Sequence, residues 1–258
     1  MSPDVFLAID VSNTQMALGV YEGRTLRHHW RLQTDSGRTA DEYGVFVRNL
    51  LAGAGSPRIG GVAVSLVVPP MTPVLDALCR THLGVAPMFV GPGVRTGMPI
   101  LYDKPQEVGA DRIVNAIAAF ERTHDTTIVV DFSTATTFDY ISDKGEYVGG
   151  VIAPGLGIAS DALFDRTAKL YRVELAKPKH VVGRNTVHAI QSGLIYGYVS
   201  LVDGLVARIR KENRVQARVI ATGGYAPLLA PESETIEEVD EFLTLEGLRL
   251  IYERNSEN

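Results

Sequence analysis

Two short segments hold the residue types from which a phosphate site can be built. Asp10-Val-Ser-Asn-Thr14 follows the apolar run Val5-Phe-Leu-Ala-Ile9, and Asp131-Phe-Ser-Thr-Ala-Thr-Thr137 follows Thr127-Ile-Val-Val130. Each places an aspartate at the end of a strand-like run, then small residues and hydroxyls, then another apolar stretch. A tight turn of that composition exposes backbone N–H groups and hydroxyls to phosphate oxygens. A carboxylate at a strand end can hold Mg²⁺ directly or through water, because Mg²⁺ keeps several waters and prefers carboxylates together with phosphates. A third piece, Val219-Ile-Ala-Thr-Gly-Gly-Tyr225, sets Gly223 and Gly224 behind a strand, where a backbone without side chains can approach a flat base. One such turn says little. Two, heading the two halves of the chain, with a glycine pair behind them, predict a duplicated nucleotide-phosphate clamp.

The elements that must position these groups follow from periodicity. Val5–Ile9, Met16–Tyr21 and Thr25–Leu32 read as three strands joined by short turns, hence antiparallel neighbours. Thr39 reads as an N-cap for a helix over Ala40–Ala52, with Tyr43, Phe46, Val47, Leu50 and Leu51 on one stripe. A strand Gly61–Val67, a helix Thr72–His82, a strand Pro87–Val90 and a helix Val108–Thr123 complete the first half. Then the theme repeats. Thr127–Asp131, Thr137–Ser142 and Tyr147–Ala153 form a second meander with a hairpin turn at Asp143-Lys-Gly145. Helices at Ile158–Lys169, Gln191–Asn213 and Leu245–Arg254 and a strand at Arg218–Thr222 follow. A three-strand meander followed by alternating helices and strands, written twice, predicts an α/β fold of two ribonuclease-H-like halves. That is the architecture of actin, Hsp70 and the acetate and sugar kinases. The halves are residues 1–118 and 119–258, with the active site expected in the cleft between them.

Composition excludes several classes. The 258 residues are 45% hydrophobic and 21% charged, enough apolar content for a substantial core. A formal net charge of −5 argues against a nucleic-acid-coating or membrane-surface protein, while leaving room for a locally positive pocket. The single cysteine, Cys79, allows no internal disulfide and falls on the apolar face of its helix, so it reads as a buried small hydrophobe. The run Val5–Ile9 is too short for a signal peptide or membrane span, and a cytoplasmic protein is expected. No histidine stands at metal-ligand spacing. Asp161 and Asp165 read as a solvated helix face, and Arg208, Arg210, Lys211 and Arg214 as charge compensation at a helix end.

A more specific resemblance rests on motifs along nearly the whole chain. These are Asp10–Thr14, Gly91-Pro-Gly-Val-Arg-Thr-Gly97, Tyr102, Val108-Gly-Ala-Asp-Arg-Ile-Val-Asn115, Asp131–Thr137, Gly149-Gly-Val-Ile-Ala-Pro-Gly155, Gly183-Arg-Asn-Thr186, Gln191-Ser-Gly193 and Leu243-Thr-Leu-Glu-Gly-Leu248. Together they resemble the type III pantothenate kinases, with Gly109-Ala-Asp-Arg112 the most diagnostic block. The resemblance implies ATP-dependent phosphorylation of pantothenate, the first step of coenzyme A biosynthesis. It implies that Asp10, Val11, Ser12, Asn13, Thr14, Gln15, Met16 and Ala17 bracket the ATP phosphates, with Asp10 organising Mg²⁺. Thr134, Gly223 and Gly224 would also meet ATP. Asp111 would be the catalytic base, and Tyr102, Gly109, Ala110, Asp111 and Arg112 would hold pantothenate. Asp131 would bind a monovalent cation, K⁺ or NH₄⁺, and Thr186 would reach the pantothenate of the other subunit of a homodimer.

Two positions depart from the family pattern, which has glycine where this chain has Ser12 and Ser133. If the backbone there needs positive φ, a serine costs roughly 1–2 kcal/mol per site. The hydroxyls would either intrude on phosphate space or donate to it. Three functions therefore stand: a pantothenate kinase, a catalytically weak relative serving as a ligand-binding regulator, and a different small-molecule kinase of the same superfamily.

Overall fold

The structure is a computed structural model and describes residues 5–167 and 169–256. β1 (Val5–Val11) buries Leu7, Ala8, Ile9 and Val11, as a central strand covered on both faces must. It pairs antiparallel with β2 (Gln15–Glu22), which pairs antiparallel with β3 (Thr25–Gln33). On its other side β1 runs parallel to β4 (Ile59–Leu66), and β4 to β5 (Pro87–Phe89), giving the order β3-β2-β1-β4-β5. The second sheet is built from β6 (Thr127–Phe132), β7 (Ala135–Ile141), β8 (Tyr147–Pro154), β9 (Arg218–Thr222) and β10 (Glu238–Val239). Its order, β8-β7-β6-β9-β10, retraces the same path with the same strand directions. The repeat in the sequence is a repeat of topology.

Local chemistry sets the helices. α1 (Ala40–Gly53) starts at Thr39 with a reciprocal capping box, in which Glu42 N–H donates to Thr39 Oγ1 and Thr39 N–H donates to Glu42 Oε2 at 2.8 Å. Tyr43, Val47 and Leu51 are buried, but Phe46 lies outward under the Arg38 guanidinium, 5.0 Å from its ring centre. The expected helix over 72–82 is α2 (Thr72–Ala77) continued by a π-helical turn, Leu78–Leu83, that ends on the left-handed Gly84. Cys79 is buried there, and burial pushes its thiol up to about 12, so it is inert.

α3 (Ala110–Thr123) follows the Gly109 turn. α4 (Leu156–Asp165) starts earlier and ends sooner than the sequence suggests. α5 (Thr186–Asn213) begins five residues before the predicted Gln191, because Asn185 caps it by accepting from His188 N–H at 2.8 Å. α5 is long and apolar enough to cross a membrane by composition, but Leu194, Ile195, Val199, Val202 and Val206 are packed into the second core.

Among the described residues the chain forms two units. One comprises the chain up to Met98, Asp103–Ala118 and the stretch from Leu243; the other comprises Pro99–Tyr102 and Ala119–Phe242. The sequence reading places the closing helix, α7 (Leu243–Ser256), in the second half, whereas it packs with the first unit. The reason is apolar fit. Leu243, Leu245, Leu248 and Ile251 are buried, Tyr252 stacks on Phe6 at 4.6 Å, and Gly61 leaves the room that the Tyr252 hydroxyl fills. Two short segments missed by periodicity, β10 and α6 (Ala226–Leu229), are too brief to show any.

In the second unit, Asp203 of α5 ties down the approach to β10. Its Oδ1 accepts from Ser233 Oγ (2.6 Å), Thr235 Oγ1 (2.7 Å) and Thr235 N–H (3.2 Å), and its Oδ2 from Glu234 N–H (3.1 Å). Burial opposes ionisation, but these bonds outweigh it and hold the carboxyl below its ordinary pKa. A depressed pKa contributes stability that is present above the unfolded value and lost as pH falls through the folded one. Asp203→Asn is expected to cost about 1–2 kcal/mol near neutrality. In paired thermal melts the difference from the parent shrinks as pH drops below the carboxylate range.

Candidate active site

In the first unit the site grows from the C-terminal end of β1. Asp10 stands opposite Ser65 on the parallel strand β4 and opposite Ala17 on β2. Its side chain is partly exposed, but Oδ1 is buried, and neither that oxygen nor Ser65 Oγ has a hydrogen-bond partner of standard geometry. Burial raises the Asp10 pKa to about 7, the charge of nearby Asp111 adds to the rise, and the Ser65 and Ser12 hydroxyls pull weakly the other way. A buried carboxylate oxygen with no well-aligned donor, near a second carboxylate, fits a cation. Ser65 was not singled out from sequence, although a lone hydroxyl in the apolar strand Val62-Ala-Val-Ser-Leu66 was the available signal.

Asp111 sits in the first turn of α3, where an acid is favoured by the helix dipole. Arg112 N–H donates to Asp111 Oδ1 at 2.9 Å. Burial raises its pKa, and the Arg112 amide and guanidinium hold the rise back. Gly109 makes this placement possible: a Cβ there would stand 2.5 Å from Asp111 Oδ1. Arg112 itself is buried. α3 is held from behind by α7. Thr244 Oγ1 donates to Asn115 Oδ1 at 2.7 Å, and Gly247 brings α7 so near that a Cβ would meet the Val114 carbonyl at 2.2 Å. That gives the Leu243–Leu248 motif a physical task. Asn115, one turn beyond Asp111 on the same helix face, keeps a buried Nδ2 without a partner.

The second unit repeats the geometry. Asp131 of β6 stands opposite Thr222 on the parallel β9 and Thr137 on β7, and all three are buried. Thr134, Thr136 and Thr137 keep buried hydroxyl oxygens without partners, so acceptors for a cation and donors for phosphate are at hand. Gly223 has φ +90, and a Cβ there would meet Asp131 Oδ1 and the Phe132 carbonyl, each at 2.5 Å. Gly155 performs the same service on the other side, lying where a Cβ would meet the Thr134 carbonyl at 2.1 Å. Thr222 also went unread, hidden in front of the glycine pair.

The remaining predicted residues divide by exposure. Asn13, Thr14 and Gln15 are exposed and Ser12 and Ala17 partly so, but Val11 and Met16 belong to the core and offer a ligand only their backbone. Gly224 is exposed beside Gly223. Ala110 and Gly109 flank Asp111 at the start of α3. Tyr102 lies in the second unit, its ring 6.4 Å from Tyr147. Thr186 is exposed as the first residue of α5.

The serines carry no left-handed strain. Among the described residues, non-glycine positive φ occurs at Ser56, His124 and Arg214, not at Ser12 or Ser133. Ser12 N–H donates to the Gln15 carbonyl at 3.0 Å and Ser133 N–H to the Ala135 carbonyl at 3.0 Å, closing both turns in a conformation serine adopts freely.

Two mixed sheets of one topology, each with an aspartate at the end of its central strand, define the duplicated α/β fold of the sugar kinases. A Sinorhizobium meliloti protein provisionally named a 2-dehydro-3-deoxygalactonokinase shares that fold, with a TM-score of 0.61 at 12% identity over 96% of each chain. The chain matches the type III pantothenate kinase family over residues 6–208. It is 57% identical to the type III pantothenate kinase of Myxococcus xanthus over 253 residues, covering 97% of this chain and 99% of that one. Against the type III pantothenate kinase of Syntrophotalea carbinolica the identity is 58%, with coverage of 97% and 99%. This chain belongs to the type III pantothenate kinase family.

Gly109→Ala tests whether the glycine serves the carboxylate. The added carbon meets the end of a side chain rather than backbone, so the fold is expected to hold and the Asp111 carboxylate to move. Turnover is expected to fall on the order of 10- to 100-fold, with circular dichroism unchanged. Parental turnover in the variant refutes the assignment.

Proposed function

We propose that this chain transfers the γ-phosphoryl group of ATP to the primary hydroxyl of pantothenate, giving 4′-phosphopantothenate at the entry to coenzyme A biosynthesis. The observation that carries this reading is identity of 54–58% over almost the entire chain to proteins named type III pantothenate kinase. The acceptor-side residues Tyr102, Gly109, Asp111, Arg112 and Thr186 are all present.

In this reading Asp111 accepts the proton of the hydroxyl as it attacks. A base whose pKa is raised by burial is better matched to that task near neutral pH than a solvated carboxylate. Arg112, Tyr102 and Gly109 orient pantothenate, and the turn 10–17, Thr134, Gly223 and Gly224 orient ATP. Positioning of this kind supplies most of the rate in phosphoryl transfer. Asp10 would hold Mg²⁺ and Asp131, flanked by Thr137 and Thr222, a monovalent cation. Ions held there would supply positive charge against the phosphates in a chain that has no Gly-x-x-x-x-Gly-Lys-[Ser/Thr] loop.

A homodimer and a cytoplasmic location complete the proposal, with neither nucleic acid nor membrane as partner. Support for the dimer comes from the segment before Thr186. Val181 and Val182 are 65% and 79% exposed, and Gly183 lies against the first turns of α5, where a Cβ would meet Ala189 N at 2.3 Å. Apolar side chains presented so openly suit a protein contact.

The direct assay supplies ATP, Mg²⁺, pantothenate and K⁺ or NH₄⁺ and follows 4′-phosphopantothenate. Asp111→Asn is expected to lose at least 100-fold in kcat, as removal of a general base does. Because the base works only when ionised, kcat/KM should fall with decreasing pH along a limb lying above the ordinary carboxylate pKa. Full activity of Asp111→Asn, or full activity with only a bulky organic cation present, removes the corresponding role.

The weak-relative alternative is tested at the two serines. Since neither is strained, Ser12→Gly and Ser133→Gly are expected to leave kcat/KM for ATP unchanged or lower. A tenfold gain would mark the serines as impairments.

A further inference from the structure

Asp139 is a fully buried carboxylate in the middle of β7, between Val129 of β6 and Gly150 of β8, and none of the roles above uses it. A carboxylate is retained in such a place only where it is hydrogen-bonded. Its Oδ1 accepts from the hydroxyl of Tyr147, itself fully buried, at 2.7 Å. Tyr147 opens β8, and its backbone has a second task. Its N–H donates to the Pro99 carbonyl and its carbonyl accepts from Leu101 N–H, both at 2.8 Å, with Ile100 in bridge register beside it. The segment 99–102 is thus laid onto the sheet edge through Tyr147.

Tyr102 ends that segment. Its ring lies 6.4 Å from the Tyr147 ring at 59°, within the range of favourable tilted aromatic pairs. It also lies 3.9 Å from where a Cβ on Gly149 would stand, at a residue whose φ of +156 favours glycine. The geometry points to Tyr147 and Asp139 as a positioning pair that fixes Tyr102 for the acceptor and thereby sets the affinity for pantothenate. This rests on the reading of Tyr102 as an acceptor-binding residue. Asp139 locks the Tyr147 ring, and Tyr147 locks Tyr102 through both ring and backbone.

Steady-state kinetics on three variants of the full chain test it. Tyr147→Phe keeps the ring and removes the bond to Asp139. Its KM for pantothenate is expected to rise roughly five- to twentyfold, with KM for ATP within twofold and a cooperative melt retained. Asp139→Asn still accepts from the Tyr147 hydroxyl and is expected to show a smaller rise of the same kind. A merely structural role moves both KM values together, or neither, and either result overturns the inference. Tyr102→Leu separates the two levels. A raised pantothenate KM there, with none in Tyr147→Phe, overturns the positioning role alone, whereas no effect in Tyr102→Leu overturns the acceptor reading beneath it.

Discussion

Two carboxylates near one another in a partly desolvated place repel, and much of the first unit can be understood as the means of holding them there. Asp10 is fixed by the register of three strands, and Asp111 by a helix start, a glycine with no Cβ and the amide of Arg112. Burial and the nearby Asp111 charge both oppose ionisation of Asp10 and raise its pKa to about 7, and burial raises that of Asp111. Such a site would gain from positive charge placed beside it. That suits an enzyme whose nucleotide comes with a cation, because the carboxyl gains most from the ion when both are in place.

Packing at a distance supports that arrangement. α7, last in the chain, returns to the first sheet and clamps α3 through Thr244 and Gly247. The second unit uses smaller means. Thr222 and Thr137 flank Asp131 by register, and Gly223 and Gly155 clear backbone-sized gaps around the turn. The duplicated topology thus gives two versions of one device, one carrying a second carboxylate nearby and the other rich in hydroxyls.

Much of this was legible in the residues. The meanders, the N-cap at Thr39 and the buried Cys79 follow from alternation, helical periodicity and turn chemistry, all of which are local. The start of α5 was missed because the apolar pattern begins after the first turn, although Asn185 marked it. Phe46 was placed inward by its spacing, yet Arg38 covers it at the surface. Ser65, Thr222 and Asp139 gave almost no signal, since a single polar residue in a strand has meaning only beside its neighbours on other strands.

The sequence by itself determined the two aspartate turns, the repeated order of elements and the family, because each is carried by types and spacings along the chain. Only the tertiary structure decided that Ser12 and Ser133 sit without strain, since φ is set by the turns that close on Gln15 and Ala135. It also decided that Ser65 and Thr222 stand beside the aspartates and that the last helix belongs to the first unit. Those facts depend on register and on apolar fit between residues far apart in the chain, and no local pattern encodes them.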